Sequence, residues 1–245
     1  MISARLKKLF QLFKIPYFTR KLYHGVAATT EHIPILRSLG RINTIIDVGA
    51  NKGQFFLAAR YVFPMAKIIS FEPLVSPVKK YNKLFKNDEN NILYQSAIGP
   101  TIKTVPIHVS KKDDSSSILP IGKTQSSIFP GTDESHTEIV SIAPLNHFIS
   151  SKDLISPAFV KIDVQGYELE VLKGFEKLIE RFDYIYVECS FIELYETQAL
   201  ADEVIQYLSR KSFRLMGIYN TYYDTKKIAI QSDFLFKKEN NIKND

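Results

Sequence analysis

Ile45-Ile46-Asp47-Val48-Gly49-Ala50-Asn51-Lys52-Gly53 is the stretch that decides the fold of this chain. Ile42 to Val48 is a short, β-branched apolar run, the composition of a strand buried on both faces. It enters a tight turn carrying two glycines, and Gln54 to Phe63 then reads as a helix stopped by Pro64. Glycine at 49 lets the backbone come close to a ligand, and glycine at 53 permits a tight helix start. The first-turn amides of that helix face any anionic group bound there.

Outward from this unit the pattern repeats. Lys67 to Phe71 reads as a strand ending at Glu72-Pro73, Ser76 to Lys86 as a helix with Pro77 in its first turn, and Ile92 to Ser96 as a third strand. Phe159 to Val164 and Tyr184 to Glu188 are further strands, separated by a helix over Glu168 to Arg181. A helix over Leu200 to Lys211 follows, and Arg214 to Tyr219 and Asp233 to Lys237 close the chain as a hairpin at the sheet edge. Strands alternating with amphipathic helices specify an α/β fold, one Rossmann-like, doubly wound, mostly parallel sheet. Residues 101–140 break the rhythm: Thr104 to Ser110 and Glu138 to Ile142 look like strands around a polar, serine-bearing segment, Lys111 to Thr137. Long segments without an element of their own are often lids or binding loops.

The 245 residues suffice for one large domain, read here as residues 41–238, with a polar tail at 239–245. The formal charge of +6 is concentrated in a helical extension, residues 1–40. That extension holds Arg5, Lys7, Lys8, Lys14, Arg20, Lys21 and Arg37 against the single acid Glu31, leaving the rest of the chain neutral. A basic face for nucleic acid therefore loses its support. The leader mixes these cations with Leu6, Leu9, Phe10, Leu12, Phe13, Ile15 and Phe18 but lacks the long apolar run of a secretory signal. Two readings stay open for it: packing on the domain, or peripheral contact of residues 1–25 with an anionic membrane surface. No apolar run reaches the ~20 residues of a membrane-spanning helix. The lone cysteine, Cys189, sits in a strand and reads as a packed thiol, which with the lack of a disulfide partner suggests a reducing, cytoplasmic setting.

In parallel sheets ligands sit beyond the carboxyl ends of the strands, where Asp47, Glu72 and Asp163 all fall. Three neighbouring carboxylates repel unless a cationic or hydroxyl-rich ligand compensates. Glu72 lies 19 residues beyond Gly53, the interval at which an acid can bond ribose hydroxyls. That spacing suits a nicotinamide dinucleotide as well, but position 51 is Asn where the dinucleotide fingerprint has its second glycine. The Gly-Lys-Ser/Thr of a P-loop does not follow this turn, and Gly122-Lys123-Thr124 has Ser117 where that motif has its first glycine.

The runs DVGANKGQF, FEP, KIDVQGYELEVLKG and YVECS, with the serine-bearing loop before the third, resemble FkbM-type S-adenosylmethionine-dependent methyltransferases over residues 42–237. The resemblance implies a seven-stranded Rossmann-like methyltransferase fold with its last strand antiparallel, S-adenosylmethionine as cofactor, and O-methylation of sugars or secondary metabolites. It implies that Asp47, Gly49, Ala50, Asn51 and Gly53 surround the methionine part of the cofactor and that Glu72 holds the ribose beside Pro73. It further implies that Ser96, Ala97 and Ile98 line the adenine, and that Asp163 points toward the methyl-donor centre. The chain departs from the pattern at Asn146, where the family often has Asp and where Asn can still cap a helix, and at Gln165, where it frequently has Glu.

An alcohol acceptor needs a base and in-line placement. Asp163, Glu188 and His136 are the candidate catalytic residues. Glu168 is a further carboxylate that the helix N-terminus alone would favour. His24 and His32 fall in the leader, and His108 and His147 read as surface or strand positions. A magnesium ion on Asp163 and Glu188 would lack the further oxygens a hard cation wants, so no metal is assigned. The polar loop favours a small-molecule or glycan acceptor. An oxidoreductase using NAD or a nucleotide sugar, and a cofactor-binding module without turnover, are the competing readings.

Overall fold

The computed structural model describes residues 12–239. In chain order the elements are α1 (Pro16–Tyr23), α2 (Ile33–Ser38), β1 (Thr44–Val48), α3 (Gln54–Val62), β2 (Lys67–Phe71), α4 (Val75–Phe85), β3 (Asn91–Tyr94) and β4 (Ala97–Ile98). There follow β5 (Lys103–Ser110), α5 (Lys123–Ile128), β6 (Glu134–Ala143), β7 (Ala158–Ile162), α6 (Glu168–Gly174), β8 (Tyr184–Ser190), α7 (Ala201–Arg210), β9 (Phe213–Tyr223) and β10 (Ala229–Lys238).

Seven strands form one sheet in the order β3-β2-β1-β7-β8-β10-β9. Strands β3, β2, β1, β7 and β8 run parallel, and β10 is antiparallel to both neighbours. This is the doubly wound α/β architecture, with β10 inserted between β8 and the edge strand β9. After β1 the chain moves to β2 and β3 on one side and returns to β7 on the other. A crevice opens at that reversal.

Two cores flank the sheet, because side chains alternate across each strand. On one face Ile46, Val48, Val160 and Ile162 pack against Val171 and Leu172 of α6 and Val204 and Leu208 of α7. On the other Ile45, Ile68 and Phe159 pack against Phe55 and Phe56 of α3, Tyr81 and Phe85 of α4, and the N-terminal extension. Leu12, Phe18, Val26, Ala28, Ile35 and Leu36 belong to that second core, so the extension packs into the domain over its described length. Phe18 meets Tyr61 edge-on at 5.1 Å, and Lys21 Nζ donates to the Leu84 carbonyl at 2.6 Å. The readings of residues 1–11 and of the tail from residue 240 lie outside the described residues. Among the described residues no helix is long and apolar enough to cross a membrane.

Three local expectations change. The third strand stops at Tyr94, and Ala97–Ile98 joins a separate three-stranded sheet, β4-β6-β5. The Lys111 to Thr137 segment is not devoid of structure. It contains α5, Ser117 exchanges backbone bonds with His108 at 2.7 and 3.1 Å, and its last residues already belong to β6. Asn146 does not cap a helix; it is the exposed middle residue of a 3-10 turn, Leu145–His147, that begins after Pro144. Cys189 is buried, as its flanks suggest.

The β1–α3 turn is held tightly against β7. Gly49 has φ 79°, and a Cβ there would lie 1.9 Å from the Asp163 carbonyl oxygen. Gly40 is also left-handed, φ 72°, but has nothing within 4 Å. Gly49→Ala is expected to cost about 2–5 kcal/mol of stability, from strain plus forced displacement of β7. Gly40→Ala should cost only the conformational strain, about 1–2 kcal/mol. Urea unfolding of the two variants measures the difference.

Candidate active site

The crevice is a cleft of about 670 Å³ that extends from the tips of β1, β2 and β7 to β9 and β10. Val48, Gly49, Ala50 and Asn51 form its floor, and Glu72, Pro73 and Leu74 one wall. Ser96, Ala97, Ile98 and Ile107 close that end. Most of the expected cofactor residues therefore share one cavity.

Glu72 is held by backbone: Asn51 N donates to its Oε2 at 2.9 Å and Leu74 N to its Oε1 at 2.8 Å. Burial pushes its carboxyl up to about 7, against the pull of those two amides. Asn51 occupies the left-handed region, φ 46°, a conformation Asn tolerates better than most side chains, and its buried Oδ1 has no partner. Ser96 lines the cleft, but its hydroxyl donates to the Ala97 and Ser141 carbonyls at 3.0 and 3.1 Å, which makes it a brace between β3 and the second sheet.

Two expected ligand-side residues are turned away from the cavity. A Cβ on Gly53 would fall 2.4 Å from the Phe85 ring and 3.1 Å from Tyr81, so this glycine makes room for α4 rather than for a cofactor. Asp47 is fully buried and does not line the cleft. Neither of its oxygens has a hydrogen-bond partner; its counterion is Lys161 Nζ, 3.6 Å away.

Lys161 is the residue the sequence reading missed. It pairs across the ladder with Asp47, its ammonium also lies 3.4 Å from Asp163 Oδ2, and it donates to the Gly49 carbonyl at 3.3 Å. Burial pulls the ammonium down, but Asp163 and Asp47 outweigh it and lift Lys161 above the ordinary lysine range. Burial likewise pushes Asp47 up while Lys161 pulls it back. The cation stays charged. The compensating charge for the clustered acids is thus supplied by the protein itself. A lysine inside a strand flanked by Phe159, Val160 and Ile162 was the available signal.

Asp163 and Glu188 do come together. The Gln165 amide bridges them, with Nε2 donating to Asp163 Oδ1 at 2.7 Å and to Glu188 Oε2 at 3.0 Å. Its Oε1 accepts from Tyr195 Oη at 2.9 Å, and Gln231 Nε2 donates to the other Glu188 oxygen at 2.9 Å. A Glu at 165 would add a third carboxylate here; Gln supplies donors instead. Burial, then Asp163 and Asp233, push the Glu188 carboxyl well up. Glu168 is a local brace, accepting from Val164 N and Gly166 N at 3.2 and 3.0 Å, with its buried carboxyl pushed up to about 7.

His136 is not in the cleft. It lies in β6 opposite Val109, its side chain half exposed beside Glu138 at 3.2 Å. The polar run containing it reads as loop because β6 exposes its first five residues to solvent or nearly so. The histidine that does line the cleft is His32, from the extension.

The model for the methyltransferase FkbM domain matches residues 47–215, about two thirds of the chain, and the chain belongs to that family. It is a methyltransferase, and S-adenosylmethionine is its methyl donor. A curated relative, the 2-O-methyltransferase NoeI of Sinorhizobium fredii (strain NBRC 101917 / NGR234), is 24% identical over 209 residues, 81% of this chain and 85% of that protein. Among solved structures, an rRNA methylase from Streptococcus thermophilus superposes with a TM-score of 0.48 at 11% identity, covering 85% of this chain and 94% of that one. The precorrin-6y C5,15-methyltransferase of Geobacter metallireducens GS-15 gives 0.46 at 10% identity, covering 84% and 87%. Between methyl transfer and hydride transfer, family membership selects the first.

In the ribose-holding role that the resemblance implies, Glu72 carries a checkable pH dependence. Its carboxyl is protonated below about 7 and ionised above, and ribose hydroxyls donate best to the ionised form. Affinity for S-adenosylhomocysteine, by calorimetry, should therefore rise between about pH 6 and pH 8. Glu72→Gln should remove most of that slope and cost about 1.5–3 kcal/mol, ten- to hundredfold, at the upper end.

Proposed function

We propose that this methyltransferase transfers its methyl group to a hydroxyl oxygen of a polyhydroxylated, sugar-like acceptor. The observation that carries the reading is Gln125. It is 3% exposed, it lines the cleft, and its Oε1 has no partner. A buried amide oxygen left unpaired is costly, and a hydroxyl donor from a bound molecule would satisfy it. The same cleft is lined by Thr132, Asn220 and Gln231, amide and hydroxyl groups suited to several oxygens at once, and by the Phe129 and Tyr222 rings, whose centroids are 4.7 Å apart. Polar groups beside an aromatic pair match a sugar, polar at its edges and apolar on its C–H faces. The name of the relative, a 2-O-methyltransferase, supports oxygen as the accepting atom.

In this reading Glu72 accepts from the ribose hydroxyls beside Pro73, and Ala97, Ile98 and Ile107 enclose the adenine. Gly49, Ala50 and Asn51 hold the methionine end, where the buried, unpartnered Asn51 Oδ1 offers an acceptor for an ammonium. S-adenosylmethionine supplies an activated methyl on a cationic sulfur. Asp163, tied in place by Lys161 and Gln165, sets a carboxylate toward that charge, with Glu188 held beside it by Gln165 and Gln231. Fixing both reactants in line can supply up to about 7–11 kcal/mol of the barrier reduction.

Incubation with isotope-labelled methyl donor and a panel of methyl glycosides, oligosaccharides, phenols and fatty acids tests this, with mass spectrometry of the products. The expected product is a singly O-methylated carbohydrate, and Gln125→Leu should raise its KM roughly tenfold without altering affinity for S-adenosylhomocysteine. Labelling confined to phenols or carboxylates, or none at all, would overturn the reading.

A further inference from the structure

The chain lays a row of polar side chains across the sheet. Ser70, Asp47, Lys161 and Tyr186 are register neighbours on β2, β1, β7 and β8, and one step further Glu188 pairs with Asp233 of β10. All lie on the face covered by the N-terminal extension, and the extension puts His32 against the row. Its ring stands edge-on to Phe55 and to Tyr186, each at 5.6 Å between centroids. Nδ1 lies 3.1 Å from Tyr186 Oη and 3.6 Å from Asp233 Oδ2. Tyr186 Oη donates to the same Asp233 oxygen at 3.0 Å, and Asn220 Nδ2 donates to it at 2.8 Å. Asn220 Nδ2 also lies 3.3 Å from Nδ1 while directing hydrogens to Tyr186 Oη and Asp233, and with the proton placed on Nδ1 a chain runs from imidazole through tyrosine to carboxylate. Nε2 is then the lone-pair nitrogen, on a ring that lines the cleft with Asp163, Glu188 and Gln231.

We infer that His32, held by Tyr186 and Asp233, is the general base that takes the proton of the acceptor hydroxyl. The inference rests on the O-methyltransferase reading above. The O–H bond breaks toward Nε2 and the oxygen's electron pair forms the new O–CH₃ bond. The S–CH₃ bond breaks with its pair returning to sulfur, and the imidazolium then releases its proton to water. The competing bases are engaged elsewhere: Asp163 is ion-paired to Lys161, and both Glu188 oxygens accept amide hydrogens. An imidazole oriented by a carboxylate through its other nitrogen is the arrangement general-base catalysis uses repeatedly. The charged groups facing the ring are Asp233 from β10, Glu31 beside it in the extension, Lys161 from β7 and Asp163 just beyond that strand. Burial outweighs the three acids and holds the imidazole below its ordinary range, hence neutral and able to accept a proton at pH 7.

The test uses His32→Gln and Asp233→Asn in the full chain, with the best acceptor from the carbohydrate panel and S-adenosylhomocysteine as binding probe. For His32→Gln, kcat should fall about 10²–10⁴-fold and its low-pH limb should vanish, while acceptor KM and S-adenosylhomocysteine affinity stay within about threefold. For Asp233→Asn, which removes an acid that lifts the imidazole, the His32 titration followed by NMR should move to lower pH and kcat should fall less. Retention of kcat by His32→Gln, or loss of S-adenosylhomocysteine binding in it, would overturn the assignment while wild-type turnover preserves the functional reading. A wild-type enzyme that methylates no hydroxyl takes both down together. An unmoved His32 titration in Asp233→Asn would separately refute the coupling.

Discussion

One buried ammonium governs the geometry of this site. Lys161 sits between Asp47 and Asp163, reaches the Gly49 carbonyl, and is 5% exposed. Taking such charges from water is expensive, and removing one partner of a buried pair typically costs about 3–5 kcal/mol because the other is stranded. Here the strand ladder fixes the partners: Asp47 and Lys161 are directly opposite in the β1–β7 register. The ion pairs lock the tip of β7 beside the tip of β1, and the Gly49 turn is seated against the Asp163 carbonyl as a consequence. The glycine turn and the Asp163 side of the cleft are thereby tied together.

The same face of the sheet explains what the N-terminal extension covers. A polar row inside an otherwise apolar layer must find partners, and helices α3 and α4 offer mainly phenylalanine and tyrosine there. The extension meets the far end of the row with His32, whose ring closes a network with Tyr186, Asn220 and Asp233. Lys161 with Asp163, and His32 with Asp233, line the same cleft. On the cleft's outer side, the segment between β5 and β6 is laced down by Ser117 Oγ donating to the Gln165 carbonyl at 2.5 Å and by Gly122 N donating to the Leu194 carbonyl at 2.9 Å. It presents Gln125 and Phe129 to the cleft from a braced position.

The strand order and the glycine turn were legible because they are local: a short apolar run, a left-handed turn residue and a helix start are each written within a few positions. Glu72 was legible for the same reason, at a fixed interval from the turn. Lys161 stood inside a quoted motif, yet its burial depends on register with Asp47, which no single segment contains. His32 required knowing that the extension folds back over the sheet, and its own surroundings in sequence read as leader. His136 failed in the opposite way, because polar exposed residues at the start of β6 hide the strand period and leave a loop-like text. Gly53 was taken for a ligand-side glycine when its missing Cβ serves the Phe85 ring.

The central claim is that the Lys161–Asp47 pair is an energetic unit holding the site together, and a double-mutant cycle in unfolding free energy measures it directly. Lys161→Met alone should destabilise the protein by about 3–5 kcal/mol, and combining it with Asp47→Asn should recover much of that loss. Additive losses, or a Lys161→Met protein as stable as wild type, would contradict the account.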